Sequence, residues 1–327
     1  MAKRRRRLPQ GKKIQPAVLD LTYRWTPASA DQGDANSRDQ YIDIARDLSR
    51  VNRRFYEQNR MYAISGITFV YPNAAAPVAA PAVANFTLKS YSAGNTWIVQ
   101  NAHTKGEALW HQMNELVLDD NPSIEGTWAG FRVRLDDHMV SGNTLNPEDG
   151  DEADYLAGEW AYSTFVMPQH EVDPATGLPL AADEFTAHLV GGDFSTRKGL
   201  VKAYEESRAT VQPVDPSVPA GISTSFFNLL TDSGSQEPEL ADVIIDANDA
   251  PPYDQDDYPG GDANADCAVL HSQASSSPYT PVGRLPGMML PCGLLRLNGS
   301  IIDAPVTVIV HVSAGMYKGV ASMPMGQ

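Results

Sequence analysis

Cysteine is scarce in this chain of 327 residues. Its two cysteines, Cys267 and Cys292, form neither a CxxC pair nor a cluster with histidine, which argues against a zinc site and predicts two buried, unpaired thiols in a reducing compartment. No apolar run approaches the roughly 20 residues that span a bilayer. The charged start is followed by no apolar stretch, so a secretory signal is not expected. We therefore expect synthesis in the cytoplasm or nucleus.

The motifs of common enzyme classes are also missing: the sequence has no GxSxG, P-loop, HExxH or strand-linked GxGxxG. The histidines are scattered without metal-ligand spacing, at positions 103, 111, 138, 170, 188, 271 and 311. Paired carboxylates such as Asp136-Asp137 are frequent because the loops are acidic. A carboxylate-dependent hydrolase would need two such groups in one cleft with separated pKa values, which a sequence does not show. The prediction is a protein that is not an enzyme.

One acidic loop could hold a cation. Asp254, Asp256 and Asp257 stand beside Tyr253 and Tyr258, and carboxylate oxygens are the ligands that Ca²⁺ prefers. The segment lacks the glycine and the distal glutamate of an EF-hand loop. A solvated acidic loop is therefore the favoured interpretation, with a calcium site as the alternative, and no other cofactor is expected.

Acidic residues are absent from residues 1–13, which carry a basic cluster: Lys3, Arg4, Arg5, Arg6, Arg7, Lys12 and Lys13. Residues 1–60 hold 14 of the 25 Lys and Arg residues but only 7 of the 40 Asp and Glu residues. The remainder of the chain is strongly acidic. We therefore expect the basic arm to attract polyanions and the acidic body to repel them.

The basic cluster has three interpretations that do not exclude one another. It fits a tail that neutralises phosphates, a nuclear import signal, or a contact with membrane headgroups. No aromatic residue interrupts the cluster, so base stacking and sequence-specific readout are not expected from it.

An amphipathic helix is predicted over residues 37–60, where Ser37 and Gln40 have the spacing of a capping box. Its apolar stripe recurs at three- and four-residue steps: Tyr41, Ile44, Leu48, Val51 and Phe55. Much of the remaining surface is basic: Arg46, Arg50, Arg53, Arg54 and Arg60. Either the arginines are merely solvated, or the helix extends the basic face of the arm toward a polyanion or an anionic membrane surface.

From residue 62 onward, short segments rich in β-branched and aromatic residues predict strands. They lie at 64–71, 84–91, 96–101, 127–135, 159–167, 184–190, 225–230, 266–271, 288–297 and 305–313, with an earlier short strand at 19–25. A second helix is predicted at 104–118, with a buried face formed by Leu109, Met113, Leu116 and Val117. Residues 198–206 fit a strand or a helix.

About eleven strands without βαβ alternation predict an all-β fold, an antiparallel jelly-roll β-sandwich with helical insertions and a basic N-terminal arm. The predicted divisions are an arm at 1–36, the amphipathic helix at 37–60 and the sandwich at 61–327. Long acidic loops at 136–158 and 232–266 take up much of the chain. They favour a single jelly roll, with two smaller jelly rolls as the alternative.

An arginine-rich arm (MAKRRRRLPQGKK, residues 1–13) before a sandwich punctuated by proline and glycine resembles the jelly-roll capsid proteins of small icosahedral viruses. In layout the chain is most similar to those of small single-stranded DNA viruses. The resemblance implies a major capsid protein of the virion, made in the host cytoplasm or nucleus. Many copies would assemble into a shell whose inner face holds the arm.

The resemblance also implies partners. These are further copies of the chain, genomic nucleic acid bound without sequence preference, and an internal membrane or minor capsid proteins. The arm residues together with Arg46, Arg50, Arg53 and Arg54 are the expected interior contacts. The alternative function is a carbohydrate- or surface-binding sandwich of a viral fibre or adhesin, whose loop aromatics would stack on sugar rings: Trp128, Tyr155, Tyr253 and Tyr258.

Overall fold

The fold is taken from a computed structural model. It describes residues 15–27, 39–71, 85–126, 128–155, 158–167, 183–193, 196–209, 259–261, 269–300 and 305–326.

The described residues form thirteen strands and three α-helices. The strands are β1 (Asp20–Trp25), β2 (Asp39–Asp43), β3 (Arg60–Val70), β4 (Phe86–Ser92), β5 (Thr164–Met167), β6 (Asp183–His188), β7 (Arg197–Gly199), β8 (Val269–Ser276), β9 (Val282–Leu290), β10 (Leu294–Gly299), β11 (Val306–Val312), β12 (Ala314–Tyr317) and β13 (Ser322–Pro324). The helices are α1 (Ile44–Asn52), α2 (Trp97–Asp120) and α3 (Leu200–Ala209). Short 3-10 turns lie at Pro122–Ile124, Ser141–Asn143 and Pro291–Gly293.

Two antiparallel sheets contain most of the strands. The first has the order β1-β11-β3-β9, and β13 pairs with the start of β3. The second has the order β2-β10-β4-β8. Leaving out the short β13, the two sheets share eight strands, β1 to β4 and β8 to β11. Successive members of this set lie in different sheets, except that β4 and β8 are neighbours in the second sheet.

The two sheets pack face to face over one apolar core. Side chains alternate along each strand, so that every second residue of β11 points inward and is buried. Tyr23 and Phe69 of the first sheet and Phe86 and Leu297 of the second belong to the same buried cluster. The rings of Phe69 and Phe86 meet edge to face with centroids 5.7 Å apart. The molecule is therefore mostly β-structure arranged as a sandwich, which confirms the coarse fold class.

The helix predicted at 37–60 is much shorter in the structure. Its first part is strand β2, which pairs with β10, and α1 begins only after Asp43, whose side chain accepts a hydrogen bond from the Arg46 backbone N–H. The helix ends at Arg53, which has a left-handed conformation (φ 50°). The apolar stripe thus crosses a strand, a helix and a turn, since Tyr41 lies in β2 and Phe55 follows the helix. Ser37 lies outside the described residues.

A long insertion separates β4 from β8. Residues 93–268 include α2, α3 and a three-stranded sheet of order β5-β6-β7, in which β6 and β7 are parallel. The described part of the insertion packs against β2 and β10 on the outer face of the second sheet, where the Tyr41 hydroxyl donates to Asp136 Oδ2 at 3.0 Å. Arg296 of β10 lies 3.6 Å from the same carboxylate. A second apolar cluster joins Tyr41 and Leu294 to the insertion.

Helix α2 differs from its prediction in two ways. The strand predicted at 96–101 is wrong, because Thr96 caps the helix and these residues form its first turns. The predicted buried face is wrong as well: Leu109, Leu116 and Val117 are more than half exposed and Met113 is half-buried. The buried residues lie in the N-terminal half instead and are Ile98, Val99, Gln100, Ala102, His103 and Gly106.

The other strand predictions fare better. Those at 64–71, 84–91 and 305–313 correspond to β3, β4 and β11, and 19–25 corresponds to β1. The segment 266–271 overlaps only the start of β8, since 266–268 lie outside the described residues. The segment 288–297 spans the end of β9, a 3-10 turn and the start of β10, 159–167 contains β5, and 184–190 contains most of β6. Of the segment 127–135, residues 128–135 do not form a regular strand and have a single bridge at Arg134. Residues 198–206 hold the end of β7 and most of α3. The predicted strand at 225–230 lies outside the described residues.

The predicted domain boundaries need correction because the sandwich begins before residue 61. Strand β1 lies within the predicted arm and β2 within the predicted helix, yet both supply residues to the two sheets. Cys292 is a buried free thiol, as predicted, in the turn between β9 and β10, and Cys267 lies outside the described residues. No helix among the described residues has the length and apolar composition needed to cross a bilayer.

Candidate anion-binding groove

A groove runs between α1 and the insertion. It consists of two adjoining cavities of about 640 and 550 Å³. Both are lined by Arg46, Arg50 and Trp160, so the two cavities are continuous along one side of α1. The helix thus forms one wall, and loops of the insertion form the other.

The insertion wall is built from two extended segments, 128–135 and 158–163. They are held together at Arg132, whose carbonyl accepts from the Ser163 backbone N–H at 2.9 Å and whose own N–H donates to Ser163 Oγ at 2.9 Å. Because alternate residues of an extended chain share a side, Arg132 and Arg134 project together. The Arg132 guanidinium lies 4.4 Å from the Trp160 ring centroid, and that of Arg134 lies 4.8 Å from the Tyr162 centroid.

Three guanidinium groups of the groove form no salt bridge with any described residue. Arg50, Arg132 and Arg134 are each half-buried, and no carboxylate oxygen of the described residues lies within 4 Å of their nitrogens. Burial lowers the pKa of all three, and the nearby charge of Arg46 lowers that of Arg50 further. Their hydrogen bonds go to neutral oxygens of Asn146, Ala161, Thr186 and Trp128. No salt bridge within the described part of the chain therefore neutralises these three charges, although Asp43 and Asp47 act on Arg50, and Asp43 acts on Arg132, from a greater distance.

Arg46 has an internal role by contrast. It is buried, its Nε donates to Asp47 Oδ1 at 2.7 Å, and its terminal nitrogen donates to the Leu145 carbonyl. Asp47 also accepts from the Tyr23 hydroxyl of β1 at 2.8 Å. Burial raises the pKa of Asp47, although the Arg46 charge opposes this shift. Arg46 thus ties α1 to β1 and to the insertion.

The buried Asp43 carboxylate fixes the insertion wall against α1. Its Oδ2 accepts from Gln58 Nε2 at 2.9 Å and from the indole N–H of Trp160 at 3.1 Å. Gln58 in turn accepts from the Val133 backbone N–H at 2.6 Å. Because Val133 lies between the two arginines of the insertion wall, this network sets where their side chains emerge.

The other end of the groove lies beside the attachment point of the N-terminal arm. Arg53 and Arg54 are exposed there, and Arg54 donates to Gln15 Oε1 at 3.4 Å and to the Pro16 carbonyl at 3.2 Å. The Asn52 side chain exchanges two hydrogen bonds with the Val18 backbone, at 2.7 and 3.1 Å. Gln15, the first described residue, therefore lies beside the groove.

The acidic residues of the groove lie at its rim. Asp149, Asp154 and Glu159 are exposed and border the larger cavity. None of the described residues that line the smaller cavity is acidic, and that cavity adds the side chains of Ser141, Thr144, Asn146 and Thr186 to its arginines. Hydroxyl and amide donors beside guanidinium groups are suited to oxyanions.

The structure brings together part of the predicted site. Arg46, Arg50, Arg53 and Arg54 all line the groove, whereas the arm residues Lys3, Arg4, Arg5, Arg6, Arg7, Lys12 and Lys13 lie outside the described residues. Sequence reasoning missed Arg132 and Arg134. Their i, i+2 spacing opposite Trp160 and Tyr162 was the available signal, but it requires knowing that the two segments are neighbours.

The predicted calcium ligands Asp254, Asp256 and Asp257 also lie outside the described residues, as do the aromatics Tyr253 and Tyr258. Within the described ranges, no three His, Cys, Asp or Glu side chains come together as metal ligands would. Of the other two aromatics, Trp128 is 62% exposed and Tyr155 is half-buried, and both border the larger cavity.

No family model matches the chain, and neither a curated protein nor a solved structure matches it.

Proposed function

We propose that the protein is a major capsid protein with a single jelly-roll sandwich, which assembles in many copies into the icosahedral shell of a virion. Its basic N-terminal arm would face the interior and contact the genome. The observation that carries this proposal is the order of the strands in the two sheets, combined with a basic arm attached beside a basic groove.

The strand order supports a jelly roll. The eight sandwich strands, β1 to β4 and β8 to β11, can be renumbered 1 to 8 along the chain. One sheet then has the order 1-8-3-6 and the other has the order 2-7-4-5. The first and last strands are neighbours, and each inner pair nests inside the next pair, which is the arrangement of two Greek keys wound together. Jelly rolls of this type recur in viral capsid proteins.

The size of the insertion supports one jelly roll instead of two. All eight strands come from residues 20–92 and 269–312, and the described parts of residues 93–268 pack against β2 and β10 from outside the sandwich. A second jelly roll would need eight further strands, whereas the described part of the insertion contains three short ones.

Charge separation supports an interior arm. The chain has a net charge of −15, although residues 1–13 contain only basic and no acidic side chains among those that ionise. In a closed shell, an inward arm would neutralise packaged phosphates while the acidic body keeps the particle soluble. Nucleic acid bound in this way would be held without sequence preference.

The test is to replace the seven arm Lys and Arg residues by Gln and to compare the particles with those of the unaltered chain. We expect shells in both cases, with less nucleic acid in the variant, measured by absorbance at two wavelengths and by sedimentation. A matched control replaces two exposed basic residues of the body, Lys105 and Arg284. Equal nucleic-acid content in all three preparations would contradict an interior role for the arm.

A further inference from the structure

The arginines of the groove are arranged along a line and not around a point. Arg53 and Arg54 lie at the end near Gln15, Arg50 borders both cavities, and Arg134 lines the smaller cavity beyond it. Two continuous cavities of about 640 and 550 Å³ exceed the space that one small oxyanion needs. The arrangement fits a chain that carries a negative charge at regular intervals.

The chemistry of the groove favours phosphates. Arg50, Arg132 and Arg134 are half-buried guanidinium groups that form no salt bridge with a carboxylate of the described residues. The charges of Asp43 and Asp47 offset the desolvation of Arg50 only in part, and Asp43 offsets that of Arg132 only in part. A bound phosphate would remove that cost through charge-assisted hydrogen bonds. The rest of the body, with its large excess of acid, would repel the same ligand, so the field directs it to the groove.

An exposed aromatic side chain lies at the rim. Trp128 is 62% exposed, and its ring is held by an edge-to-face contact with Phe55 at 5.9 Å between centroids. A fixed and exposed indole beside arginines is suited to stacking on an unpaired base. In a duplex the bases are already stacked, and half-buried guanidinium groups are hard for a wide double helix to reach.

We propose that this groove binds a segment of single-stranded nucleic acid. Arg50, Arg132 and Arg134 contact successive phosphates, and Trp128 stacks on a base. The site lies on the folded body and is separate from the N-terminal arm. The inference rests on the proposed function in one respect: a genome is the polyanion that such a subunit would meet. The binding test of this inference requires no assembled shell.

The experiment measures binding of a fluorescent oligothymidylate to the full-length chain by anisotropy over a range of salt concentrations. The double variant Arg50→Gln/Arg134→Gln should bind about tenfold more weakly or worse, and the salt slope should fall by about 1.4, because two phosphate contacts to a single strand are lost. The control Arg284→Gln removes one exposed charge on β9, far along the chain from the groove, and should change affinity less than twofold.

A second variant keeps the result interpretable if the double variant unfolds. Trp128→Ala alters an exposed side chain and should weaken binding about tenfold through lost stacking. Tyr279→Ala, which changes an aromatic residue that is 83% exposed in the turn between β8 and β9, is its control and should leave binding unchanged.

Three results would overturn the inference. They are equal affinity for groove and control variants, binding of duplex as tight as binding of single strands, and equal competition by an acidic peptide, which would point to a protein partner. Each of these leaves the shell proposal intact if particles form. Conversely, groove binding by a chain that never assembles would remove the shell proposal alone.

Discussion

Asp43 is fully buried at the N-terminus of α1, and burial raises its pKa from 3.8 to about 6. The folded protein therefore binds this proton more tightly than the unfolded chain does between pH 4 and pH 6. Its contribution to stability is complete below about pH 4 and is lost as the pH rises through 6.

We expect the free energy of unfolding of the unaltered protein to fall between pH 4 and pH 7, relative to that of Asp43→Asn, by about 2–3 kcal/mol. Urea unfolding at a series of pH values measures this difference. Gln112→Ala, which removes no titratable group at an exposed position of α2, is the control and should give a flat difference. A flat difference for Asp43→Asn as well would show that its carboxyl group is not desolvated.

His103 responds to pH in the opposite direction. It is buried in the first half of α2, and desolvation lowers its pKa from 6.5 to about 4 despite the nearby Glu107. Stability from this group is present above pH 6.5 and is lost as the pH falls toward 4. Relative to His103→Gln, the unaltered protein should lose about 3 kcal/mol over that range.

The same urea series measures the His103 effect. Gln112→Ala, about two and a half turns further along α2 at an exposed position, removes no titratable group, provides the control and should leave the pH profile unchanged. Parallel profiles for the unaltered protein and His103→Gln would contradict the burial of this imidazole.

At the scale of elements, the turn between β9 and β10 depends on a glycine. Gly293 has φ 68°, and a Cβ atom there would lie 3.0 Å from the Tyr62 ring and 3.2 Å from Ile44 Cβ. Gly293→Ala should therefore destabilise the protein by about 2 kcal/mol or more. Gly142→Ala adds its Cβ where no atom lies within 4 Å and should change the thermal midpoint little. Equal midpoints for the two variants would contradict the tight turn.

The two halves of α2 should respond differently to truncation of apolar side chains. Val99 is fully buried, so Val99→Ala should cost about 2 kcal/mol in the unassembled subunit. Leu116 is 67% exposed, so Leu116→Ala should change stability by less than about 0.5 kcal/mol. Denaturant midpoints measure both, and a larger loss at Leu116 would reverse the assignment of the buried face.

Local patterns predicted strands more reliably than helices in this chain. The alternation of apolar residues in 305–313 identifies β11, because a half-buried strand must alternate wherever it pairs. The stripe from Tyr41 to Phe55 has helical spacing, yet pairing with β10 makes its first residues a strand. The apolar stripe of α2 at Leu109, Leu116 and Val117 predicts an apolar face of the helix but does not show whether another element covers that face. The exposure of these side chains could therefore not be predicted from the sequence.

At the scale of the whole molecule, composition and strand number predicted a sandwich, since many short strands bounded by proline and glycine leave few other arrangements. The order of the strands could not be predicted, because β1 pairs with β11 across almost the whole chain. The sequence also did not indicate that residues 93–268 are inserted between β4 and β8. Nor did it indicate that the described part of this insertion packs against β2 and β10.

The candidate site was predictable in part for the same reason. Arg50, Arg53 and Arg54 are close in sequence, so a local pattern placed them together. Arg132 and Arg134 join them only through long-range contacts, such as that of Gln58 with Val133. Sites assembled from distant segments need the fold before they can be recognised.

The central claim is that this subunit forms a closed shell. Electron microscopy of the purified full-length chain over a range of pH, salt and Ca²⁺ concentrations tests it most directly. The account predicts isometric particles of uniform diameter with density for nucleic acid inside. A chain that remains monomeric at high concentration under all of these conditions would contradict it.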